Sequence, residues 1–179
     1  GGMKNLRIKA LSLALAIVAL LIPACKTSKD YVLTEKNFFL VLTNMWYYPT
    51  QYLGSTIECD LFTYEITDVN GEKYLCGVRK CSSGYGCTCG KDTVIGFILS
   101  YDGDIPAPKN QSEDTNDKSW IHIVGGLKSD KFVEIEINAY NDDGSIDQSK
   151  TEKINMLAFD VRSLTEIEDA SGLNYYVTK

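Results

Sequence analysis

Alternating apolar and polar residues dominate the chain beyond residue 54 and predict a domain built mainly from β-strands. Across Thr56–Thr67, apolar side chains recur at every second position, which is the period of a strand with one buried face. The alternation slips near Phe62, and we interpret this slip as a β-bulge. The Asn-Gly pair within Val69–Glu72 is typical of a tight hairpin turn, so it predicts a second strand over Lys73–Arg79.

Four more segments carry the strand pattern, and turn-forming residues separate them. Gly125-Gly126 is expected to end one strand, and Asn141–Gly144 is expected to form a turn between two others. The polar stretch Asp102–Ser119 predicts a long exposed loop, and the acidic stretch Ser163–Asp169 predicts a short helical turn. The four predicted strands are Thr93–Tyr101, Trp120–Val124, Lys131–Tyr140 and Lys153–Val161.

A helix is predicted before the strand that begins at Thr56. Thr34 is a suitable N-cap, and apolar side chains follow it at spacings of three and four residues. Pro49 limits how far the helix extends. Because Phe38–Leu42 is also a compact apolar run, a strand at this point is the alternative. The apolar positions of the predicted helix are Phe38, Val41, Leu42 and Met45.

Five or six strands in meander order predict a mainly β fold with one or two short helices, arranged as a small OB-like barrel. Closure into a barrel removes the unpaired strand edges that an open sheet exposes. A β-sandwich is the alternative. We find no internal repeat and no second boundary, so residues 34–179 are expected to form a single domain.

The first 24 residues have the layout of a secretory signal. Basic residues precede the apolar run Ala10–Ile22, which is too short to span a bilayer comfortably. Leu21–Cys25 resembles the bacterial lipoprotein box, in which cleavage leaves an acylated cysteine as the first residue. We therefore expect that residues 1–24 are removed, that Cys25 is lipidated and that residues 25–33 form a tether. Incorporation of labelled palmitate would test the lipidation. An ordinary signal peptide with a chance cysteine is the alternative.

The negative charge of the chain limits which classes of partner it is expected to bind. Removing the three basic residues of the signal takes the formal charge from −6 to −9. A strongly acidic surface is repelled by phosphate groups, so no nucleic acid is expected as a partner. Anionic lipid heads repel it too, so acyl chains must hold it at the membrane. We expect an extracytoplasmic protein that its N-terminal lipid anchors to the cell membrane.

Five cysteines remain when one is assigned to the lipid, and an odd number cannot all pair within one chain. An oxidising exterior favours disulfide staples. Cys59 and Cys76 would join neighbouring strands across the predicted hairpin. Cys81 would pair with Cys87 or Cys89, which lie close to it along the chain. One thiol would then be left over.

The same cysteines also suit a metal site, because thiolates bind zinc and copper(I) and neighbouring glycines let backbone segments converge. A third interpretation is redox exchange through the tight Cys87-Thr88-Cys89 pair. His122, the single histidine, is interpreted as a strand residue with its ring towards solvent rather than as a ligand. Asp92 either completes the metal shell or accepts backbone donors. The candidate metal ligands are Cys76, Cys81, Cys87, Cys89 and Asp92.

A series of short motifs follows one another from Phe39 to Tyr176. The series consists of Tyr52–Ile57, Arg79, Cys87 with Cys89, Asp92, Gly96-Phe97, Trp120–Gly125, Glu166–Glu168 and Asn174–Tyr176. In this order the motifs resemble a bacterial family of extracytoplasmic proteins described as subunits of two-component permeases. Members of this family are usually encoded beside a predicted membrane permease. The resemblance implies a membrane partner more than a reaction.

We therefore expect a lipid-anchored accessory protein of a membrane permease that binds a soft metal ion through its cysteine cluster. The alternative is a non-catalytic structural or interaction lipoprotein whose cysteines are disulfide staples. The sequence has no Ser/His/Asp order, no phosphate-binding loop and a single histidine. For this reason we do not expect the protein to be an enzyme under either interpretation.

Overall fold

The computed structural model describes residues 30–81, 93–109, 117–141, 145–174 and 176–177. Within them, helix α1 spans Phe38–Tyr47 and a 3-10 turn spans Pro49–Tyr52. The expected mainly β fold is confirmed. The strands are β1 Asp30–Leu33, β2 Thr56–Thr67, β3 Lys73–Cys81, β4 Thr93–Ser100, β5 Trp120–Tyr140, β6 Ile146–Ile167 and β7 Tyr176–Val177.

Five of these strands close a ring of hydrogen-bonded neighbours. β2 is antiparallel to both β3 and β5, β3 is antiparallel to β4, and β5 is antiparallel to β6. A parallel contact between β4 and β6 completes the ring. β1 lies parallel on β2, and β7 lies parallel on β3. The seven strands form one sheet, and the additional pairing of β2 with β3 closes five of them into the ring.

β5 and β6 are longer than the ring needs, and their far halves form a two-stranded arm. Trp120–Leu127 pairs with Phe159–Ile167 in the ring, and after a register shift Phe132–Tyr140 pairs with Ile146–Leu157 in the arm. The expected separate strands over 120–124 and 131–140 are therefore one strand. The backbone N–H of residue 141 donates to the carbonyl of residue 145 at 2.8 Å, and residues 142–144 of the predicted turn lie outside the described residues.

The predicted strand end at Gly125-Gly126 is wrong for a physical reason. A Cβ atom at Gly125 would lie 2.1 Å from the carbonyl oxygen of Asp160, and one at Gly126 would lie 2.8 Å from that of Ser55. The glycines allow close backbone approach within a continuous strand. The predicted helical turn over Ser163–Asp169 is wrong too, because β6 continues to residue 167 opposite the start of β5.

Two clusters of buried side chains hold the fold together. The inner cluster fills the ring and extends to α1. The outer cluster lies between the outer face of β2 and β3 and the arm. The inner cluster includes Phe38, Met45, Ile57, Cys59, Leu61, Phe97, Ile123 and Phe159, and the outer cluster includes Phe62, Ile66, Cys76, Val78, Trp120, Ile135 and Met156.

The slip in the pattern at Phe62 follows from these two clusters. Leu61 faces the inner cluster and Phe62 faces the outer one, so consecutive residues of β2 are buried. The pairing of β2 with β5 ends at Phe62 and its pairing with β3 begins there, and neither pairing contains a register shift. The expected bulge is therefore absent from β2, and the slip marks the place where the arm starts to cover the second face.

The N-terminal part of the described chain differs in detail from the prediction. The helix is present, but its N-cap is Asn37, without a side-chain capping bond. Thr34 instead accepts backbone N–H bonds from Asn37 and Phe38 through its carbonyl. Asp30–Leu33, at the end of the expected tether, forms β1. Among the described residues, no helix has the length and hydrophobicity needed to cross a membrane.

The expected exposed loop over Asp102–Ser119 is described at its two ends. Residues 101–109 are outside any helix or strand. At the other end Lys118 is buried, and its ammonium donates to the carbonyl of Lys109 at 2.9 Å. Beside it the hydroxyl of Ser119 donates to the carbonyl of Ala107 at 2.7 Å. These bonds tie the end of the loop against the outer cluster rather than leaving it in solvent.

Candidate functional site

A cleft of about 210 Å³ opens where β1, β2 and β5 lie side by side. Its polar side chains come from alternate positions of two paired strands, because side chains at every second position share one face of a sheet. Glu58 and Asp60 lie on β2, and His122 lies on β5. The remaining lining residues are Val32, Leu33, Thr34, Glu35, Cys59 and Leu173.

His122 lies between two carboxylates of this cleft. It is directly opposite Asp60 in the β2–β5 pairing, and its Nδ1 atom is 2.7 Å from the Asp60 Oδ1 atom. Its Nε2 atom is 3.5 Å from the Glu58 Oε1 atom. About a third of each of the Asp60 and His122 side chains is exposed, so a solute can reach the imidazole.

The hydrogen bond to Asp60 determines which ring nitrogen faces the cleft. An ionised carboxylate only accepts hydrogen bonds, so the proton of this bond belongs to Nδ1 of His122. In the neutral ring, Nε2 then carries a lone pair, and this lone pair lies on the side of Glu58. A carboxylate behind one imidazole nitrogen is the arrangement that commonly orients a metal-ligating histidine.

The distance from Nε2 to Glu58 suits two ligands of one ion. Zinc binds imidazole nitrogen and carboxylate oxygen at about 2.0–2.2 Å, and two such bonds at a wide tetrahedral angle place the donor atoms about 3.5 Å apart. Within the described ranges, no group of three or more His, Cys, Asp or Glu side chains is arranged to hold a metal ion. The described residues therefore offer two direct ligands, His122 and Glu58, and one orienting carboxylate, Asp60.

Arg79 holds two of the residues that line the cleft, Glu35 and Asp60, in place. Its guanidinium donates to the Glu35 carboxylate at 2.5 Å, to the Asp60 carbonyl at 3.2 Å and to the Asn174 carbonyl. The side chain is 1% exposed. Because β3, β2, the turn before α1 and the C-terminal segment all meet at this one group, Arg79 fixes the backbone of Asp60 and the side chain of Glu35.

The surroundings of Arg79 explain how a full charge is accommodated in the interior. The guanidinium carbon lies 5.4 Å from the centre of the Phe38 ring and 4.9 Å from that of Trp120, so two aromatic faces stabilise the cation. Its Nε atom is buried and has no hydrogen-bond partner among the described residues. Arg79 thus lies between the inner cluster, which contains Phe38, and the outer cluster, which contains Trp120.

The structure does not bring the predicted cysteine pair Cys59 and Cys76 together. The residue opposite Cys76 on β2 is Tyr64. Cys59 belongs to the inner cluster and Cys76 to the outer cluster. Both are free thiols, and a bond between them does not fit this register.

Cys76 and Cys81 are likewise poorly placed to share a metal ion. They lie five residues apart on β3, and an odd separation puts the two side chains on opposite faces of a strand. Burial raises the pKa of the Cys76 thiol to about 12, and burial is also the main cause that raises the pKa of the Cys59 thiol. A thiol must lose its proton to ligate a metal, so these environments oppose metal binding.

Other residues named from the sequence fall outside the described part of the chain. They comprise the lipidation candidate and three residues of the cysteine-rich loop, so the pairing of Cys81 within that loop and the loop's metal and redox interpretations remain predictions. These residues are Cys25, Cys87, Cys89 and Asp92.

The cleft residues were missed in the sequence because each is an isolated polar residue in a strand. Glu58 and Asp60 are more than 60 positions from His122 along the chain, and only the strand pairing brings them together. The sequence offered one signal for the cleft. Glu58 and Asp60 alternate with buried residues of β2, which places both carboxylates on the outer face of this strand. A solvent-facing ring was expected for His122, and the structure places it half-buried against two carboxylates.

Comparisons with known proteins cover the larger part of the chain. The sequence profile described as "DUF1980 C-terminal domain" matches residues 18–156. The chain is also similar to the UPF0703 protein YcgQ of Bacillus subtilis (strain 168), with 27% identity over 109 residues, which are 59% of this chain and 33% of that protein. The aligned part is thus about a third of the length of this relative. No solved structure matches the chain.

Proposed function

The chain belongs to the family of the DUF1980 C-terminal domain, and from this premise we propose that it is a membrane-anchored accessory protein that binds a divalent cation. The cation lies in the cleft between β1, β2 and β5, with His122 and Glu58 as its protein ligands. The observation that carries the proposal is the position of the His122 ring between Asp60 and Glu58. An imidazole nitrogen with a carboxylate oxygen suits zinc and similar borderline divalent ions.

The charges around the cleft favour a cation over an anion. Three carboxylates line it, those of Glu35, Glu58 and Asp60, while the positive charge of Arg79 is paired with Glu35. The whole chain carries a formal charge of −6, so the long-range field also attracts cations.

Two direct protein ligands make a site from which an ion can leave. A structural zinc site is closed by four protein ligands, whereas an open shell keeps positions for water or for groups of another molecule. A cleft of this kind suits a protein that passes an ion to a partner. We propose a membrane permease as that partner, on the strength of the motif series between Phe39 and Tyr176.

The location of the protein is part of the proposal. The basic residues, the apolar run Ala10–Ile22 and Cys25 support export and lipid attachment. The chain is therefore proposed to act outside the cytoplasm and close to the membrane surface, where a permease would be within reach. The proposed role is one of binding and transfer, without catalysis.

Zinc binding by the purified full chain tests the cation site. Reduced protein prepared without chelator should bind about one zinc ion per chain in equilibrium dialysis, and His122→Ala and Glu58→Gln should each weaken binding at least about ten-fold. Glu65→Gln is the matched control, because Glu65 is another β2 carboxylate and pairs with Lys73 at 3.0 Å, outside the cleft. The control should bind zinc as the unchanged chain does.

Binding that persists in both cleft variants would contradict the proposed ligands. Cobalt then locates the alternative, because thiolate ligands give an intense charge-transfer band that nitrogen and oxygen ligands do not. A cobalt spectrum with this band would assign the ion to the cysteines. Absence of binding by any form of the chain would favour the interaction lipoprotein with stapled cysteines.

A further inference from the structure

Exposed aromatic rings form a continuous surface at the end of α1 and the start of the arm. The rings of Phe132 and Trp46 have centroids 5.3 Å apart, and those of Trp46 and Tyr47 are 6.3 Å apart. The series continues to Tyr48 at 6.4 Å, and Leu40 lies two helical turns before Tyr47 on the same side of α1. Of the Tyr47 surface, 68% is exposed. We name this surface, made of Leu40, Trp46, Tyr47, Tyr48 and Phe132, the aromatic patch.

The segment that carries the patch contains no charged residue. Residues 38–57 are uncharged throughout, although charged residues make up 23% of the chain. A surface helix normally presents charged side chains to water, and a helix that is apolar on all sides faces protein or lipid. One side of α1 packs on the inner cluster through Phe38, Leu42 and Met45, which leaves the patch side to be explained.

The patch lies at the end of the domain where the chain enters from its N-terminal segment. Asp30, the first described residue, pairs with Thr56, and the Tyr31 ring lies 4.9 Å from the ring of Tyr52. Tyr52 ends the 3-10 turn that directly follows α1. The entry point of the chain and the C-terminal end of α1 are therefore neighbours.

The length of chain before this entry point limits the distance to a membrane anchor. Five peptide units join Cys25 to Asp30, and they span at most about 18 Å when fully extended. A lipid on Cys25 therefore keeps this end of the domain at the bilayer surface. Tryptophan and tyrosine are the residues that favour the membrane–water interface, where an apolar ring and a polar atom are both accommodated.

We propose that the aromatic patch rests on the bilayer interface and so orients the domain on the membrane that anchors it. The occupant is the headgroup region of a phospholipid bilayer, and zwitterionic lipid suffices because the patch segment is uncharged. This inference rests on the membrane attachment in the proposed function and not on the cation site. The orientation places the uncharged segment 38–57 of an acidic protein against the membrane.

The two tryptophans provide a matched pair of reporters, because Trp46 belongs to the patch and Trp120 is 1% exposed in the outer cluster. The full chain, with its N-terminal segment, is reconstituted in phosphatidylcholine vesicles with and without bromine atoms high on the acyl chains. Brominated lipid should quench the emission of the unchanged chain. Trp46→Phe, which leaves Trp120 as the reporter, should show quenching smaller by roughly two-fold or more.

A second variant tests the patch without removing a reporter. Leu40→Ser with Tyr47→Ser keeps both tryptophans and should lower the quenching of Trp46 towards the level seen in Trp46→Phe. Circular dichroism of both variants checks that the β fold is kept. Zinc binding by the double variant should match that of the unchanged chain, since neither residue lines the cleft.

Three results would overturn the inference. Equal quenching of the unchanged chain and Trp46→Phe would show that the patch does not meet lipid. Self-association that depends on Trp46, without quenching by brominated lipid, would assign the patch to a second copy of the chain. Failure of the chain to float with vesicles would remove the membrane attachment itself, and with it that part of the proposed function. In the first two cases the attachment and the cation site stand.

Discussion

The outer face of β2 has two halves that differ in what covers them. In one half, Glu58 and Asp60 lie beside a cleft, and in the other half Phe62 and Ile66 lie under the arm within the outer cluster. All four side chains occupy alternate positions of one strand, so the strand geometry is the same in both halves. The polarity of each position therefore follows whether the arm covers it.

This difference indicates how the fold creates the candidate site. The arm buries one half of the face and leaves the other half open between β1 and β5. Arg79 lies at the boundary, since it donates to the carbonyl of Asp60 and packs on Trp120 of the outer cluster. The same side chain thus joins the covered half to the site.

Substitution of Arg79, the residue at this boundary, should give the largest loss of stability. Arg79→Met removes the donor shared by Glu35, Asp60 and the C-terminal segment, and we expect the free energy of unfolding to fall by about 3–5 kcal/mol. Arg162→Met is the control, because Arg162 is exposed and donates to the carbonyl of Gly125 at 3.0 Å. Urea titration of both variants measures the difference, and equal losses would contradict the role given to Arg79.

Truncating a side chain should have a different effect in each half of the outer face of β2. Phe62→Ala opens a cavity under the arm and should cost about 3 kcal/mol or more. Glu58→Ala, four positions away on the same face, should cost less than about 1 kcal/mol while it weakens zinc binding. Unfolding by urea, with dialysis for zinc, measures both quantities. A Glu58 variant as unstable as the Phe62 variant would show that the cleft half is a structural part of the core.

The thiol under the arm should be unreactive in the native protein. Burial raises the pKa of Cys76 from 9.0 to about 12, so near neutral pH its thiolate fraction is roughly a thousand-fold lower than in the unfolded chain. Pulsed alkylation with mass spectrometry should label Cys76 only after urea is added. Rapid labelling under native conditions would show that the arm opens readily.

The same pKa predicts how stability depends on pH. Above pH 9.0 the unfolded chain releases the Cys76 proton, whereas the folded protein retains it until pH reaches about 12. The contribution of this thiol to stability is therefore present below pH 9.0 and is lost as the pH rises towards 12. Urea midpoints of the unchanged chain and of Cys76→Ala should converge across this range.

Disturbing the close backbone packing between ring strands should cost less stability than Arg79→Met or Phe62→Ala. Gly125→Ala places a Cβ atom 2.1 Å from the Asp160 carbonyl oxygen, and relief of that contact should cost about 1–3 kcal/mol. Gly172→Ala is the control, because nothing lies within 4 Å of its added Cβ atom. Thermal unfolding compares the two variants, and an unchanged midpoint in Gly125→Ala would mean that β5 and β6 are not held as closely as described.

Local elements of the fold could be predicted where a residue pattern is compatible with a single structure. Alternation over Thr56–Thr67 and the Asn70-Gly71 turn predicted β2 and its hairpin with β3, and the positive φ of Gly71, 85°, is the conformation that such a turn requires. The arm was not predictable in the same way. Gly125-Gly126 looks the same in a sequence whether glycine ends a strand or allows two backbones to touch.

The candidate site was the least predictable part. A cysteine-rich loop is conspicuous in a sequence, whereas Glu58, Asp60 and His122 are ordinary polar residues until β2 and β5 are paired. The predicted pairing of Cys59 with Cys76 also did not take into account on which face of the sheet each side chain lies. The two faces separate these cysteines, because Cys59 belongs to the inner cluster and Cys76 to the outer cluster. Long-range pairing therefore decides which chemistry the chain brings together.

Nitrogen NMR of the imidazole tests the cation site most directly, since the chain has a single histidine. Zinc is titrated into the ¹⁵N-histidine-labelled full chain, and both ring nitrogens of His122 are followed. We predict that the Nε2 resonance moves on zinc binding while Nδ1 keeps its proton and its bond to Asp60. An Nε2 resonance that does not respond while zinc binds to the chain would contradict the account.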